Sequence, residues 1–284
     1  MPGTKLILFE GIPGSGKSTA ATFLQTQLEK AGVPVRFWRE GNFDHPADFE
    51  SVACLNSAQY RNLIARHPDV AGLLEEQLTV HGDDHLIKYR KLQSLHPEQI
   101  SSRLMVELSG YDVYDGLPMK DYCRLALQRW QDYQAAAIQS NEINILECCL
   151  LQNPLTVMLA RHNADPQLAR EQVVRVARII EPLTPLVVYL KPRDVRTALL
   201  YAREQRPREW AEFVTWYLTG QAYGKAHCLE GYEGVIHFYE MRQKLEVNLL
   251  RDLSIRSLVI EHSGMEWDTC YDQIMEFVNP DLMS

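Results

Sequence analysis

EGIPGSGKST, residues 10–19, is the stretch that decides the fold of this 284-residue chain. Its spacing satisfies the pattern Gly-x-x-x-x-Gly-Lys-Ser/Thr, in which backbone N–H groups and a lysine surround a phosphate chain. An apolar run, Lys5–Phe9, precedes it, and apolar residues at helical spacing follow over Thr19–Lys30. A strand, a glycine-rich loop and a helix in this order predict a phosphate-binding turn at the start of a helix.

Each residue type in the loop has a chemical use. Glycines let the backbone turn its N–H groups toward a polyphosphate, Lys17 offers an ammonium to the terminal phosphates, and the Ser18 hydroxyl is a predicted Mg²⁺ ligand. The sequence therefore predicts a nucleoside triphosphate site with ATP and Mg²⁺ as cofactors, and the alternative is a plain glycine-rich turn. The predicted nucleotide-binding residues are Gly11, Pro13, Gly14, Ser15, Gly16, Lys17, Ser18 and Thr19.

The composition limits the classes of partner. A formal net charge of -8 disfavours nucleic acid, which proteins bind through a basic surface. The six cysteines contain no C-x-x-C pair, so we expect reduced thiols and no zinc site. Because the sequence has neither an apolar stretch of about 18 residues nor a basic leader, we expect a cytoplasmic protein without a membrane partner.

Five short apolar runs alternate with longer helical patterns. The runs are Lys5–Phe9, Val33–Trp38, Ile143–Leu146, Leu186–Leu190 and Ser257–Ile260. This alternation predicts an α/β fold, in which a five-stranded parallel sheet carries helices on both faces, within a single domain over 1–284. Residues 51–118 do not follow the alternation and contain no clear strand, so we predict a mostly helical insertion there.

Glu147, at the end of the third of these runs, narrows the class of phosphate-loop protein. The chain lacks the Asn-Lys-x-Asp motif of GTPases, and a single acid stands where motor ATPases carry Asp-Glu. One carboxylate across the sheet from the phosphate loop suits Mg²⁺ binding in a small kinase. We therefore predict Glu147 as a metal residue beside Ser18, and the alternative is a solvated charge at a strand end.

Together with three further motifs, the loop makes the chain resemble the P-loop nucleoside and nucleotide kinases, the group that contains thymidylate kinases and deoxynucleoside kinases. The further motifs are Trp38–Gly41, Glu147 and the arginine-rich segment 203–209. The resemblance implies the P-loop NTPase fold, a mobile lid, and ATP-dependent transfer of a phosphoryl group to a hydroxyl or phosphate. The chain departs from the group at Cys148, where many members carry an arginine that contacts the acceptor, and this weakens a nucleoside monophosphate as the acceptor.

The resemblance and the chemistry of phosphoryl transfer point to two sets of catalytic residues. Glu40 lies where nucleoside kinases carry the carboxylate that accepts the proton of the sugar hydroxyl, and Asp44 is the reserve candidate. Cations must close over the triphosphate, so Lys17 and the arginines of a lid at about 203–210 are the predicted catalytic cations. The lid arginines are Arg203, Arg206 and Arg208, and the alternative is a solvated, charged helix end.

A candidate acceptor pocket combines a helix face and a strand end. Arg129 and Trp130 lie on one face of a predicted helix, where the arginine would meet an anion and the indole would stack on a planar group; core packing is the alternative. Gln152 and Asn153 follow the third predicted strand, and their paired donors and acceptors suit a base edge or cap the next helix.

These residues predict an ATP- and Mg²⁺-dependent phosphotransferase, a kinase that acts on a nucleoside- or nucleotide-like small molecule. Two alternatives stay open: a phosphotransferase for the hydroxyl group of an antibiotic or other natural product, and an ATP-binding regulator that acts through a protein partner. The acidic charge disfavours phosphorylation of polynucleotide ends. The expected partner is a small-molecule acceptor, a homodimer stays open, and two of the nine histidines, His45 and His262, fall in segments expected near the site.

Overall fold

The computed structural model describes residues 3–264 and 266–282. Its β-strands, in chain order, are β1 (Leu6–Glu10), β2 (Val35–Trp38), β3 (Val52–Leu55), β4 (Leu78–His81), β5 (Asp84–Lys88), β6 (Ile143–Glu147), β7 (Leu186–Pro192) and β8 (Arg256–His262). Its α-helices are α1 (Lys17–Lys30), α2 (Ser57–Arg66), α3 (Ala71–Glu76), α4 (Tyr89–Leu95), α5 (Ser102–Ser109), α6 (Met119–Gln139), α7 (Gln152–Leu155), α8 (Pro166–Ile180), α9 (Val195–Gln205), α10 (Arg208–Gly220), α11 (Ala222–Ala226), α12 (Gly231–Asp252) and α13 (Trp267–Leu282). Within the two described ranges, no helix has both the length and the apolar character needed to cross a membrane.

Five of the strands form a parallel sheet in the order β2-β6-β1-β7-β8. The central strand is β1, which leads into the phosphate loop, and its Leu8 lies opposite both Leu146 of β6 and Val187 of β7. The prediction of five parallel strands is confirmed, and each strand lies where an apolar run predicted it. Because the strands are parallel, their carboxyl ends lie at one edge of the sheet, where α/β proteins bind their ligands.

Helices cover both faces of this sheet. On one face, Phe9 packs in a core with Leu24 of α1 and Ile274 of α13, and all three side chains are fully buried. On the other face, the Tyr189 hydroxyl donates a hydrogen bond of 2.5 Å to the Glu246 carboxylate of α12. Since successive side chains of a strand point to opposite faces, the central strands contribute to both layers, as a fully covered parallel sheet requires.

The chain divides into two compact units, Met1–Glu40 with Leu127–Ser284, and Gly41–Ala126. The parallel sheet belongs to the first unit. The second unit contains α2 to α5 and an antiparallel sheet in the order β3-β5-β4. It has a core of its own, in which Leu55, Leu63 and Leu92 are fully buried.

The sequence prediction of a mostly helical segment at 51–118 misses the three strands of this second sheet. A two-residue turn, Gly82-Asp83, joins β4 to β5, and Gly82 has a φ of +61°, which is the chemistry of a tight hairpin turn. Polar residues flank the turn on both sides, and the strands are only four or five residues long. The strands β4 and β5 therefore show neither an apolar run nor a long alternation, whereas β3 is a four-residue apolar run that is too short to tell a strand from part of a buried helix.

Candidate functional site

The phosphate loop connects β1 to α1, and its lysine is folded back onto it. The Lys17 ammonium donates hydrogen bonds to the carbonyl oxygens of Gly11 and Ile12, at 2.9 and 3.1 Å, and the side chain is buried. The Ser15 hydroxyl of the same loop is buried without a hydrogen-bond partner. A buried ammonium held only by neutral carbonyls, at the N-terminus of a helix, is a site at which an anion is stabilised.

Two glycines of the loop occupy positions that no other residue fits. Gly14 has a φ of +80°, and a Cβ atom there would lie 2.3 Å from the Ala198 carbonyl oxygen of α9. Gly16 has a φ of +85°, and its Cβ atom would lie 2.0 Å from the indole of Trp267, at the start of α13. The loop is therefore clamped between α9 and α13, and only glycine combines this backbone conformation with the close contacts.

A cleft of about 660 Å³ opens beside the loop. The phosphate loop and the first turn of α1 contribute Gly14, Gly16, Lys17, Ser18 and Thr19 to its lining. The rest of the lining includes Glu40, Arg206, His262 and Trp267. The volume lies within the usual range for small-molecule sites, and the polar groups converge on the loop.

The two predicted metal residues, Ser18 and Glu147, lie beside each other. Glu147 is almost fully buried, and burial raises the pKa of its carboxyl group, while the Ser18 hydroxyl and the Lys17 charge oppose that shift. The oxygen Oε2 accepts the backbone N–H of Glu40 at 3.2 Å, whereas Oε1 is buried and has no hydrogen-bond partner among the residues that the structure describes. A hydroxyl and an orphaned carboxylate oxygen fit Mg²⁺, which takes one or two protein ligands and completes its shell with phosphate and water.

The Glu40 carboxylate, which follows β2, is held by two donors from the segment after β6. Its Oε1 accepts a hydrogen bond of 2.7 Å from the Gln152 side-chain amide, and its Oε2 accepts one of 3.3 Å from the Cys148 thiol. Burial raises the pKa of the Cys148 thiol well above its usual value, so the sulfur keeps its proton and donates it. The reserve candidate, Asp44, lies in the second unit and is ion-paired there with Lys88 and Lys91, each at 2.7 Å.

The three lid arginines differ in their surroundings. Arg206, in the break between α9 and α10, lines the cleft, and its guanidinium lies 4.4 Å from the ring centre of Trp210. Arg203 lies over the ring of Tyr232 at 4.7 Å, and Arg208, which is 88% exposed, pairs with Glu212 at 2.6 Å on α10. The structure thus brings one of the three arginines to the cleft.

The four predicted acceptor residues lie in two places. Arg129 is half-buried and Trp130 is 2% exposed on α6, where the indole packs edge-on against Tyr133, as a core side chain does. Gln152 and Asn153 begin α7, and the amide oxygen of Gln152 is buried without a hydrogen-bond partner, while its nitrogen contacts Glu40.

The two histidines named from the sequence are both buried. His45 lies in the second unit, where its Nδ1 accepts the backbone N–H of Ala47 at 3.3 Å, so it has a local structural contact. His262, at the end of β8, lines the cleft, and its ring lies 5.2 Å from that of Trp267. Burial lowers the pKa of His262, which favours a neutral imidazole beside the phosphate loop.

Sequence reasoning missed Glu10, although it opens the decisive stretch. Its carboxylate is fully buried and accepts the backbone N–H groups of Leu150, Leu151 and Gln152 at 2.7, 3.1 and 3.1 Å. Glu10 therefore fixes the start of α7, and with it the segment that contacts Glu40. The available signal was its position at the carboxyl end of the central strand, the edge of the sheet at which α/β proteins bind their ligands.

A buried ion pair behind the site was also missed. Arg242 and Glu246 of α12 are fully buried and lie 2.9 Å apart, and Arg242 also donates to the Thr156 hydroxyl at 2.8 Å. Their spacing of four residues places both on one helix face, which is the available signal. The helix itself was not predicted, so this spacing went unused.

No protein-family model matches the chain, and no curated protein matches it. Solved structures do match, and one of them is a thymidylate kinase from Candida albicans. That structure is 14% identical in sequence, the match covers 98% of this chain and 92% of that chain, and the TM-score is 0.43. The assignment of the α/β fold therefore rests on the strand order and on the loop geometry described above.

Proposed function

We propose that this chain is an ATP- and Mg²⁺-dependent kinase that transfers the γ-phosphoryl group to a hydroxyl of a nucleoside- or nucleotide-like small molecule. One observation carries the proposal: Lys17, Ser18 and Glu40 line a single cleft, with Glu147 beside Ser18. These residues lie at or after the carboxyl ends of β1, β2 and β6, which are neighbours in the sheet. An anion site, a metal site and a carboxylate base are the three parts that phosphoryl transfer to a hydroxyl requires.

Lys17 and Arg206 would carry the charge of the triphosphate. On ATP binding, the Lys17 ammonium would exchange its hydrogen bonds to two loop carbonyls for hydrogen bonds to phosphate oxygens. Because the carbonyls are neutral, no ion pair has to be broken in this exchange. Arg206 lies in the break between α9 and α10 and lines the cleft, where its guanidinium would offset the charge of the phosphates. Ser18 and Glu147 would hold the Mg²⁺, which, when bound, neutralises charge on the phosphates.

Glu40 would act as the base. As the acceptor oxygen attacks the γ-phosphorus, its O–H bond breaks and the proton moves to a Glu40 oxygen. A new P–O bond forms, the bond from the γ-phosphorus to the bridging oxygen breaks, and ADP leaves. The free lone pairs on the Glu40 carboxylate suit this role, since its two protein donors leave room for a third contact.

The orphaned amide oxygen of Gln152 supports an acceptor that carries an N–H or O–H donor next to the reacting hydroxyl. A buried, unsatisfied oxygen is costly, and a donor from the acceptor would satisfy it. Nucleosides present such donors, and so do aminoglycosides, so the acceptor panel must contain both classes.

The test is ADP release from Mg-ATP with nucleosides, nucleoside monophosphates, aminoglycosides and other hydroxylated natural products. Lys17→Ala is the inactive blank, and Lys30→Ala, in which an exposed lysine of the same helix is changed, is the matched control. Acceptor-dependent ADP release in the wild type and the control, but not in the blank, is the expected result. Tight ATP binding without release for every acceptor would overturn the kinase and favour the ATP-binding regulator.

A further inference from the structure

Glu40 is exposed, yet both of its carboxylate oxygens are engaged. The donors are the Cys148 thiol, at 3.3 Å, and the Gln152 amide nitrogen, at 2.7 Å. No ion pair joins the Glu40 carboxylate to a lysine or arginine among the described residues. The orientation of this side chain therefore depends on two neutral donors from a single turn.

That turn is itself held in an uncommon conformation. Cys148 has a φ of +64°, in the left-handed region that residues other than glycine rarely occupy. Its backbone N–H donates to the Phe9 carbonyl at 3.1 Å, and its carbonyl accepts the N–H of Asn153 at 2.9 Å. The buried Glu10 carboxylate accepts three further N–H groups of the turn, those of Leu150, Leu151 and Gln152.

This arrangement has a direct geometric result. The left-handed residue reverses the chain directly after β6, so that the Cys148 thiol and the Gln152 amide reach the end of the neighbouring strand β2. A strained residue that is held by buried hydrogen bonds and contacts a candidate base is typical of a functional turn rather than of a connecting loop.

We propose that Cys148 and Gln152 are positioning residues, which orient Glu40 toward the acceptor hydroxyl through one hydrogen bond to each carboxylate oxygen. The inference rests on the proposed kinase function for its catalytic consequence, and on the contacts alone for its geometry. The two donors restrict rotation about the last side-chain bonds of an exposed glutamate, and a base that is fixed in this way loses little entropy when the acceptor arrives.

The kinetic test separates a lost donor from a lost side chain. Cys148→Ala and Gln152→Leu each remove one donor, and we expect kcat to fall about 10-fold to 100-fold while the KM for ATP changes less than about threefold. Because Gln152→Leu also removes the amide oxygen proposed to contact the acceptor, the Cys148 variants decide the positioning role. Cys148→Ser keeps a donor and should recover most of the lost kcat. Cys149→Ala, which removes the neighbouring buried thiol, is the matched control and should keep the wild-type kcat. Equal losses in Cys148→Ser and Cys148→Ala, or a higher kcat in either donor variant, would overturn the positioning role.

A spectroscopic test does not depend on turnover. The S–H stretching band of Cys148 is isolated by the infrared difference between the wild type and Cys148→Ala, and a hydrogen bond to a carboxylate lowers its frequency. We expect the band to move to higher frequency in Glu40→Gln, because an amide oxygen is a weaker acceptor than a carboxylate. A band that Glu40→Gln leaves unmoved would overturn the contact itself. A shifted band in a protein that releases no ADP would instead show that the contact exists and that the kinase proposal has failed.

Discussion

Lys17 and Glu40 touch different parts of the proposed reaction, so their variants should fail in different ways. Among the described residues, the Lys17 ammonium donates hydrogen bonds only to carbonyl oxygens of the phosphate loop, whereas the Glu40 carboxylate contacts the turn after β6. Loss of the lysine should remove the binding of the triphosphate. Loss of the carboxylate should leave that binding in place and remove the transfer step.

We expect Glu40→Gln to lower kcat by about 100-fold or more, with the Kd for Mg-ATP within about threefold of the wild-type value. Glutamine keeps the shape of the side chain but cannot accept the proton of the acceptor. Steady-state kinetics and calorimetric titration with Mg-ATP measure the two effects separately. Asp44→Asn is the control, because Asp44 is already paired with two lysines in the second unit. If Glu40→Gln abolishes ATP binding instead, Glu40 serves the metal or the fold.

At the scale of elements, the helices α9 and α10 and the break between them give the lid hypothesis a matched pair of variants. Arg206 lines the cleft, whereas Arg208, two residues away, is exposed and paired within α10. We expect Arg206→Ala to lower kcat about 10-fold or more, because one cation over the transferred phosphoryl group is lost. Arg208→Ala should stay within about twofold of the wild-type kcat, since an exposed helix pair contributes little. Equal losses in the two variants, measured as ADP release, would show that the whole segment acts as the lid.

Elements with an unbroken pattern or a specific motif were predictable, and others were not. The three central strands of the parallel sheet, β1, β6 and β7, are apolar runs that are buried on both faces, so the sequence marks them directly. The edge strands β2 and β8 are only partly buried, but each still contains a short apolar run. The helix α12 escaped prediction because Arg242, Gln243 and Glu246 lie on its buried face, where the helical pattern calls for apolar residues. A search for apolar residues at helical spacing does not detect charged residues that are buried as a pair.

Several residues that line the cleft were named from the sequence, but their contacts could not be predicted. Sequence placed Glu40, Glu147 and Gln152 after strands, yet the contact between Glu40 and Gln152 joins residues 112 positions apart. This contact forms because β2 and β6 are neighbours in the sheet, and no local sequence pattern predicts the order of strands in a sheet. Trp130 shows a different limit of sequence analysis. An aromatic residue on a helix face gives the same sequence pattern whether it lines a pocket or packs in a core, and in the structure Trp130 is buried.

At the scale of the whole molecule, each unit contains a buried carboxyl group that resists ionisation. In the first unit, burial raises the pKa of Glu10 to about 7, the nearby Glu246 adds to the shift, and three backbone N–H groups oppose it. In the second unit, burial raises the pKa of Asp112 to about 7 against hydrogen bonds from Tyr89 and the backbone. Folding therefore takes up protons near neutral pH in both units.

Tryptophan fluorescence reports on the first unit, because that unit contains all five tryptophans: Trp38, Trp130, Trp210, Trp216 and Trp267. Unfolding in urea that is followed by tryptophan fluorescence therefore reports the unit of Glu10, and far-ultraviolet circular dichroism reports both units. Burial lowers the pKa of imidazoles such as His262, so these groups make the free energy of unfolding rise with pH below a pH of about 6.5. The effect of Glu10 is therefore measured as the difference between the wild type and a Glu10 variant.

We expect the fluorescence-monitored free energy of unfolding of the wild type to fall by about 1 kcal/mol between pH 6 and 8 relative to that of Glu10→Gln. The folded state keeps the Glu10 proton up to a pH of about 7, whereas the unfolded chain loses it near the ordinary glutamate pKa of 4.5. The stability that the protonated Glu10 contributes is therefore fully present below the pKa of Glu10 in the unfolded chain, and it is lost as the pH rises through the pKa of Glu10 in the folded chain. Asp112→Asn is the control, which should flatten the slope measured by circular dichroism and leave the fluorescence slope unchanged. Parallel fluorescence slopes in the wild type and Glu10→Gln would mean that Glu10 is already ionised when it holds the start of α7.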